Sequence, residues 1–195
     1  MKCDIILSGV GGQGILSIAA VIGEAIRGEG LEIKQAEVHG MSQRGGDVQT
    51  NLRISSTKID SDLIPLGGAD VIISLEPMEA LRYIPFLKSG GWIVTSSKPF
   101  INIPNYPDEV VIAKELEKMP HLLSLDVEQI AKDAGAARAA NIVLLGAASN
   151  ILELNQKELE EGIRRIFERK GEKVVEMNIN AFRVGAESVK EQLKK

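Results

Sequence analysis

The chain has 195 residues, 44% of them hydrophobic and 26% charged, which suits one generous domain with a full core. Aromatic residues make up only 4%, so the core must be aliphatic, and a net charge of −4 argues against a broad nucleic-acid-binding face. The single cysteine, Cys3, excludes an internal disulfide, a zinc site of thiolates and an iron–sulfur cluster held by this chain, since a cluster takes about four thiolates.

The segment "CDIILSGV" is a short apolar run ending in glycine, the pattern of a buried parallel strand, with Cys3 as a small buried hydrophobe. No signal-peptide pattern precedes it, and no apolar run approaches the roughly 20 residues that cross a bilayer, so a cytoplasmic protein without membrane contact is expected. In "GGQGILSIAAVIGEAIRGEG", Ile15, Ile18, Ala19, Ile22 and Ile26 recur at helical spacing, and Gly28 with Gly30 supplies the stop. "LEIKQAEVHG" is a second strand. "DVQTNLRIS" alternates, with Val48, Thr50, Leu52 and Ile54 on one face and Gln49, Asn51, Arg53 and Ser55 on the other.

"ADVIISL" is a further buried strand. "EPMEALRYIPFLKSG" is predicted as a helix opening at Pro77, and "GWIVTSS" as the next strand. The proline-rich "KPFINIPNYPDE" is a loop. Short strands are expected at "EVVIA" and "HLLSLD", and Asp126 caps a helix over "VEQIAKDAG". "RAANIVLLGAASNILEL" is apolar enough to be a buried helix, with Asn141 bonding to the backbone of a neighbouring loop. "NQKELEEGIRRIFERKG" is an amphipathic helix capped by Asn155, its charges forming a solvated face. A last helix carries Val174, Met177, Ala181, Val184 and Val189 on one stripe. His121 is expected to be a packed strand residue rather than a ligand.

Strands alternating with helices imply an α/β protein: a three-layer α/β/α sandwich over residues 1–195, with a helical part over about 138–195. Gly9, Gly11 and Gly14 satisfy G-x-G-x-x-G between a strand and a helix, where bare backbone and a helix N-terminus suit phosphate. Glu37 falls near where a ribose-binding acid belongs, so a free-standing NAD-binding oxidoreductase is one reading, and a nucleotide-binding module another. The eight residues "HGMSQRGG" oppose the first. Parallel neighbours need a crossover of a dozen or more residues, so the "DVQTNLRIS" strand must run antiparallel to the one before it. The sheet is therefore mixed, mainly parallel, with a Rossmann-like start. A plain hairpin has no need of His39, Gln43 and Arg44 together.

The stretches "GVGGQGILSIAAVIGEA", "EVHGMSQRGGDVQTNLRIS" and "IPLGGADVIISLEPMEALR" together resemble the gamma-type domain of 2-oxoacid:ferredoxin oxidoreductases, and within that family the small subunits of the indolepyruvate enzymes. The resemblance covers nearly the whole chain. It implies a subunit of a complex that oxidatively decarboxylates arylpyruvates such as indolepyruvate with coenzyme A to an aryl-acetyl-CoA, passing electrons to ferredoxin. It also implies a large partner subunit holding thiamine diphosphate, magnesium and the iron–sulfur clusters, so this chain alone binds no cofactor and has no catalytic residue or metal. By analogy its contacts to coenzyme A would come from two loops: Gly9, Gly11, Gly12, Gln13 and Gly14, and His39, Ser42, Gln43, Arg44, Gly45 and Gly46. Arg44 fits either a bidentate contact to phosphate or a partner carboxylate across the subunit interface. Glu76, at a strand-to-helix junction, fits either a ligand contact or a helix-dipole partner.

Overall fold

The computed structural model describes residues 1–39, 46–101 and 103–194. Strand β1 (Lys2–Val10) leads into helix α1 (Ile15–Ala25). The β2 (Glu32–His39) and β3 (Asp47–Ser55) strands follow, then β4 (Ala69–Ser74), helix α2 (Pro77–Arg82) and β5 (Leu87–Ser96). Helix α3 (Glu109–Leu116), β6 (Leu122–Leu125) and α4 (Val127–Asp133) come next, and α5 (Ala140–Ser149), α6 (Gln156–Phe167) and α7 (Glu172–Ser188) close the fold.

The sheet order is β2-β3-β1-β4-β5-β6. Strand β3 is antiparallel to both neighbours, while the β1–β4, β4–β5 and β5–β6 pairs are parallel. The mixed, mainly parallel sheet expected from the eight-residue connection is thus present. One detail differs from a Rossmann unit: β3 inserts between β1 and β2, so the strands flanking α1 are not neighbours.

Two apolar layers cover the sheet, which is why β1 is buried on both faces. Ile5 and Leu7 face a large cluster with α1, α5, α6 and α7 residues such as Ile18, Ile22, Leu144 and Phe182. Ile6 faces a smaller cluster with Ile72, Ile93, Ala80, Tyr83, Ile112 and Leu116. Helices α5 and α7 approach so closely that a Cβ added to Gly146 would overlap the Phe182 carbonyl, and one on Gly185 would overlap that of Val143.

Three local expectations are corrected. "EVVIA" is the start of α3, not a strand. Asp108 accepts a hydrogen bond from the Val110 amide at 2.7 Å, and Ile112 and Leu116, four residues apart, are the positions that bury. Packing at helical spacing overrides the strand propensity of the valines. The helix at "EPMEALRYIPFLKSG" ends at Arg82, because Pro85 cannot continue it. Leu87 already pairs with Ala69, and the register shift between Ala69 and Val71 is absorbed by a bulge around Gly90, at φ +76°. In α7 the buried face is Val175, Ile179, Phe182 and Ala186 with Asn178, Ala181 and Gly185, while Val184 is exposed.

Other expectations hold. Asp126 accepts from the Gln129 amide and Asn155 from the Lys157 amide, both at 2.9 Å. Cys3 is buried in β1, and that burial pushes its thiol up to about 12. His121 packs its ring on Trp92 at a centroid distance of 4.8 Å as expected, but it stands just before β6 rather than within the strand. On the outer face of α6 and α7, Arg164 pairs with Glu172 and Arg183 with Glu160.

Candidate functional site

The carboxyl ends of β1 and β4 meet at the middle of the sheet. Helix α1 leaves β1 toward the large cluster and α2 leaves β4 toward the small one, so a topological switch point lies between them. Crevices of this kind hold ligands in open α/β sheets.

The glycine loop is built from the backbone outward. Gly14 takes the left-handed conformation, φ +85°, at the N-cap of α1, and Gly12 stands at φ +102° with open space where a side chain would be. Asn141 of α5 donates its amide to the Gly14 carbonyl at 3.1 Å, which is the backbone bond to a neighbouring loop expected of it. Gln13 folds back into the crevice. Its Oε1 accepts from the Val10 amide at 2.7 Å, and its Nε2 donates to the Leu75 carbonyl at 3.1 Å. The side chain therefore ties the loop after β1 to the end of β4, and both its polar atoms serve the fold.

The second loop returns to the same edge. The Gly11 amide donates to the Gly46 carbonyl at 2.8 Å, and Val10 pairs with Asp47. His39 pairs with Val48 at the end of β2. Ser42, Gln43, Arg44 and Gly45 lie outside the described residues. The two ends of the "HGMSQRGG" segment, the glycine loop and the start of α2 share one edge of the sheet.

At the start of α2, Glu76 is fully buried and caps the helix, accepting from the Glu79 amide at 2.8 Å. The Tyr106 hydroxyl donates to the other Glu76 oxygen. Of the two roles open to Glu76, the geometry shows the capping one. Glu79, also buried, is gripped by Arg82 at 2.8 Å. Burial holds the Glu79 carboxyl above its usual range; Arg82 opposes that shift, while the charges of Glu76 and Asp47 add to it. Burial pushes Tyr83 up to about 12, and burial with the Glu76 carboxylate raises Tyr106 further.

Tyr106 was not visible from sequence as part of this edge, because its tie to Glu76 spans 30 residues. A row of hydroxyls was also missed. Ser8, Ser74, Thr95 and Ser124 stand side by side on four adjacent strands, and Ser8 Oγ has no partner among the described residues. The signal was present: the strands end in "ILSG", "IISL", "VTSS" and "LLSLD".

Glu37 sits on β2, two strands from β1, with β3 between. In a dinucleotide site the ribose-binding acid lies on the strand beside the glycine loop. The inserted antiparallel strand removes that neighbour relationship, and Gln13 occupies the crevice.

Comparison with known proteins matches the family described as pyruvate ferredoxin/flavodoxin oxidoreductase to residues 4–188. The chain belongs to that family. It is 36% identical to the indolepyruvate oxidoreductase subunit IorB of Thermococcus kodakarensis, over 97% of each chain. With the ketoisovalerate oxidoreductase subunit VorA of Methanothermobacter thermautotrophicus it shares 28% identity, over 96% of this chain but 36% of that one. A structure of 2-oxoglutarate:ferredoxin oxidoreductase from Magnetococcus marinus, with 2-oxoglutarate, coenzyme A and succinyl-CoA bound, aligns at a TM-score of 0.76 and 26% identity. The alignment covers 97% of this chain and 31% of that one. The gamma subunit of a keto/oxoacid ferredoxin oxidoreductase from Geobacter sulfurreducens has the same fold, with a TM-score of 0.70, 24% identity, and 96% and 95% coverage. The family and three-layer fold expected from the motifs are both found. Among the described residues no helix is long and apolar enough to cross a membrane.

Proposed function

We propose that this chain is the non-redox small subunit of a ferredoxin-dependent complex that oxidatively decarboxylates arylpyruvates, of the indolepyruvate type, with coenzyme A. The observation that carries the substrate class is the ranking of relatives: 36% identity to an indolepyruvate oxidoreductase subunit, against 28% to a ketoisovalerate one. In this reading thiamine diphosphate, magnesium and the iron–sulfur clusters belong to a larger subunit, because one cysteine is too few for a cluster. The chain works in the cytoplasm as part of that hetero-oligomer, and ferredoxin meets the complex rather than this subunit.

Coenzyme A would meet the edge formed by the glycine loop and the "HGMSQRGG" segment. Gly12 offers uncovered backbone beside the N-terminus of α1, an end that favours an anion, although the Ser17 amide of its first turn already donates to the Gly14 carbonyl at 3.1 Å. The nearby carboxylates Asp47, Glu76 and Glu79 disfavour an anion there unless a cation joins it. Arg44, and the neighbours Ser42, Gln43 and Gly45, supply that chemistry in the sequence between the two described ends.

The test is to purify the complex from co-expression with the large subunit and to follow ferredoxin reduction with indolepyruvate, phenylpyruvate, ketoisovalerate and 2-oxoglutarate. Aryl substrates should lead in kcat/KM by at least tenfold. Equal or better turnover of ketoisovalerate or 2-oxoglutarate overturns the substrate assignment.

A further inference from the structure

The ladder between β1 and β4 stops one rung early. Ser8 lies opposite Ser74, and the Leu75 amide donates to the Ser8 carbonyl at 3.0 Å. Rungs of a parallel pair are evenly spaced and alternate in direction, so the next would run from the Val10 amide to the Leu75 carbonyl. Both groups are held by the Gln13 side chain instead, at 2.7 and 3.1 Å. The rung after that would need an amide on residue 77, and Pro77 has none. The Val10 carbonyl it would have served accepts from the Gln13 backbone amide at 3.1 Å.

A glutamine side chain carries the donor and the acceptor of a peptide group. Here it stands in the ladder as an inserted piece of strand. Two hydrogen bonds and the width of an amide separate Val10 from Leu75, where one bond would otherwise join them. The backbone groups on both sides stay satisfied, and the strands are held apart. The gap lies where α1 and α2 leave toward opposite faces, so Gln13 forms the floor of the switch-point crevice.

Gly9 belongs to the same arrangement. A Cβ there would lie 2.9 Å from Gln13 Oε1 and 2.9 Å from Ile15 Cδ1. The first glycine of G-x-G-x-x-G therefore makes room for the glutamine rather than for a ligand. Gly12, the neighbour of Gln13, is the glycine of the loop with open space at its Cβ position, and pinning Gln13 fixes where its backbone lies.

We propose that Gln13 is a positioning residue, a wedge that replaces one rung between β1 and β4. It keeps the crevice open and sets the backbone at Gly12 for coenzyme A, acting through the loop and not by contact with the ligand. This rests on the proposed function in naming coenzyme A as the ligand.

The test uses Gln13→Met, which keeps the length of the side chain and its packing on Gly9 but makes neither hydrogen bond. In the wild-type chain without coenzyme A, the Gln13 side-chain amide protons should exchange at least tenfold more slowly by NMR than those of the exposed Gln35. Exchange as fast as that of Gln35, slowed only when coenzyme A is added, overturns the wedge and makes Gln13 a direct ligand contact. In the complex co-expressed with the large subunit, Gln13→Met should raise the KM for coenzyme A at least tenfold. The kcat should stay within about twofold, and the KM for the 2-oxoacid should not move. A wild-type KM for coenzyme A overturns the positioning role whatever the melting temperature of the variant. So does an equal loss in kcat and in both KM values, which is what a merely structural role would give. If the coenzyme A effect appears with ketoisovalerate or 2-oxoglutarate while arylpyruvates are not turned over, the positioning role stands and the substrate assignment fails.

Discussion

The side-chain amide of Asn141 donates to the carbonyl of Gly14 at 3.1 Å, across 127 residues of chain. The bond joins the buried helix α5 to the left-handed residue that opens α1. A side chain on Gly14 would place its Cβ 2.8 Å from Asn141 Nδ2, so the close approach and the positive φ each require glycine. Asn141→Ala should cost about 1 kcal/mol, the scale of one hydrogen bond, and Gly14→Ala clearly more. Denaturant unfolding of the two variants checks the order. Equal stabilities would mean that the contact does not hold the loop.

Glu79 makes a pH prediction with a definite sign. Its folded-state pKa lies above the ordinary glutamate value, chiefly from burial. The folded state then holds a proton that the unfolded state has released, so stability falls as pH rises through the window that opens just above the usual glutamate pKa, about 4.3. Glu79→Gln should flatten that part of the profile. Melting temperatures of both forms between about pH 4 and 7 decide it, and parallel curves would assign the slope to other groups.

The α5–α7 contact should be the least tolerant packing in the chain. Gly146→Ala or Gly185→Ala drives a methyl into a backbone carbonyl, which cannot rotate away as a side chain can. A loss of at least about 1–3 kcal/mol is expected, the usual cost of overpacking a core. Chemical denaturation gives the number. A variant as stable as wild type would require the two helices to separate without penalty.

Arg44→Lys keeps the charge but loses the bidentate geometry. Binding of the phosphate or carboxylate it serves should weaken by about 1–3 kcal/mol, with folded stability changing by less than about 0.5 kcal/mol. Turnover of the complex across coenzyme A concentrations separates the two roles. A raised coenzyme A requirement with normal assembly places Arg44 at phosphate, and weakened assembly places it at the interface. A sharply lower melting temperature with normal turnover would make it structural.

Local chemistry was legible in the sequence wherever it acts over a few residues. The glycines that open α1, the caps Asp126 and Asn155, the buried β1 and the shortness of the connection between β2 and β3 are all set by neighbours along the chain. That short connection alone forced an antiparallel strand and a mixed sheet. It did not say that β3 would enter between β1 and β2, since strand order depends on which faces are left to pair after collapse. Tertiary packing made "EVVIA" a helix, because the small cluster offered Ile112 and Leu116 a surface at helical spacing. It turned Gln13 from a loop residue into the bridge between β1 and β4, and brought Tyr106 to Glu76. A residue's type determines which bonds it is able to make, but only the folded chain brings it a partner tens of residues away.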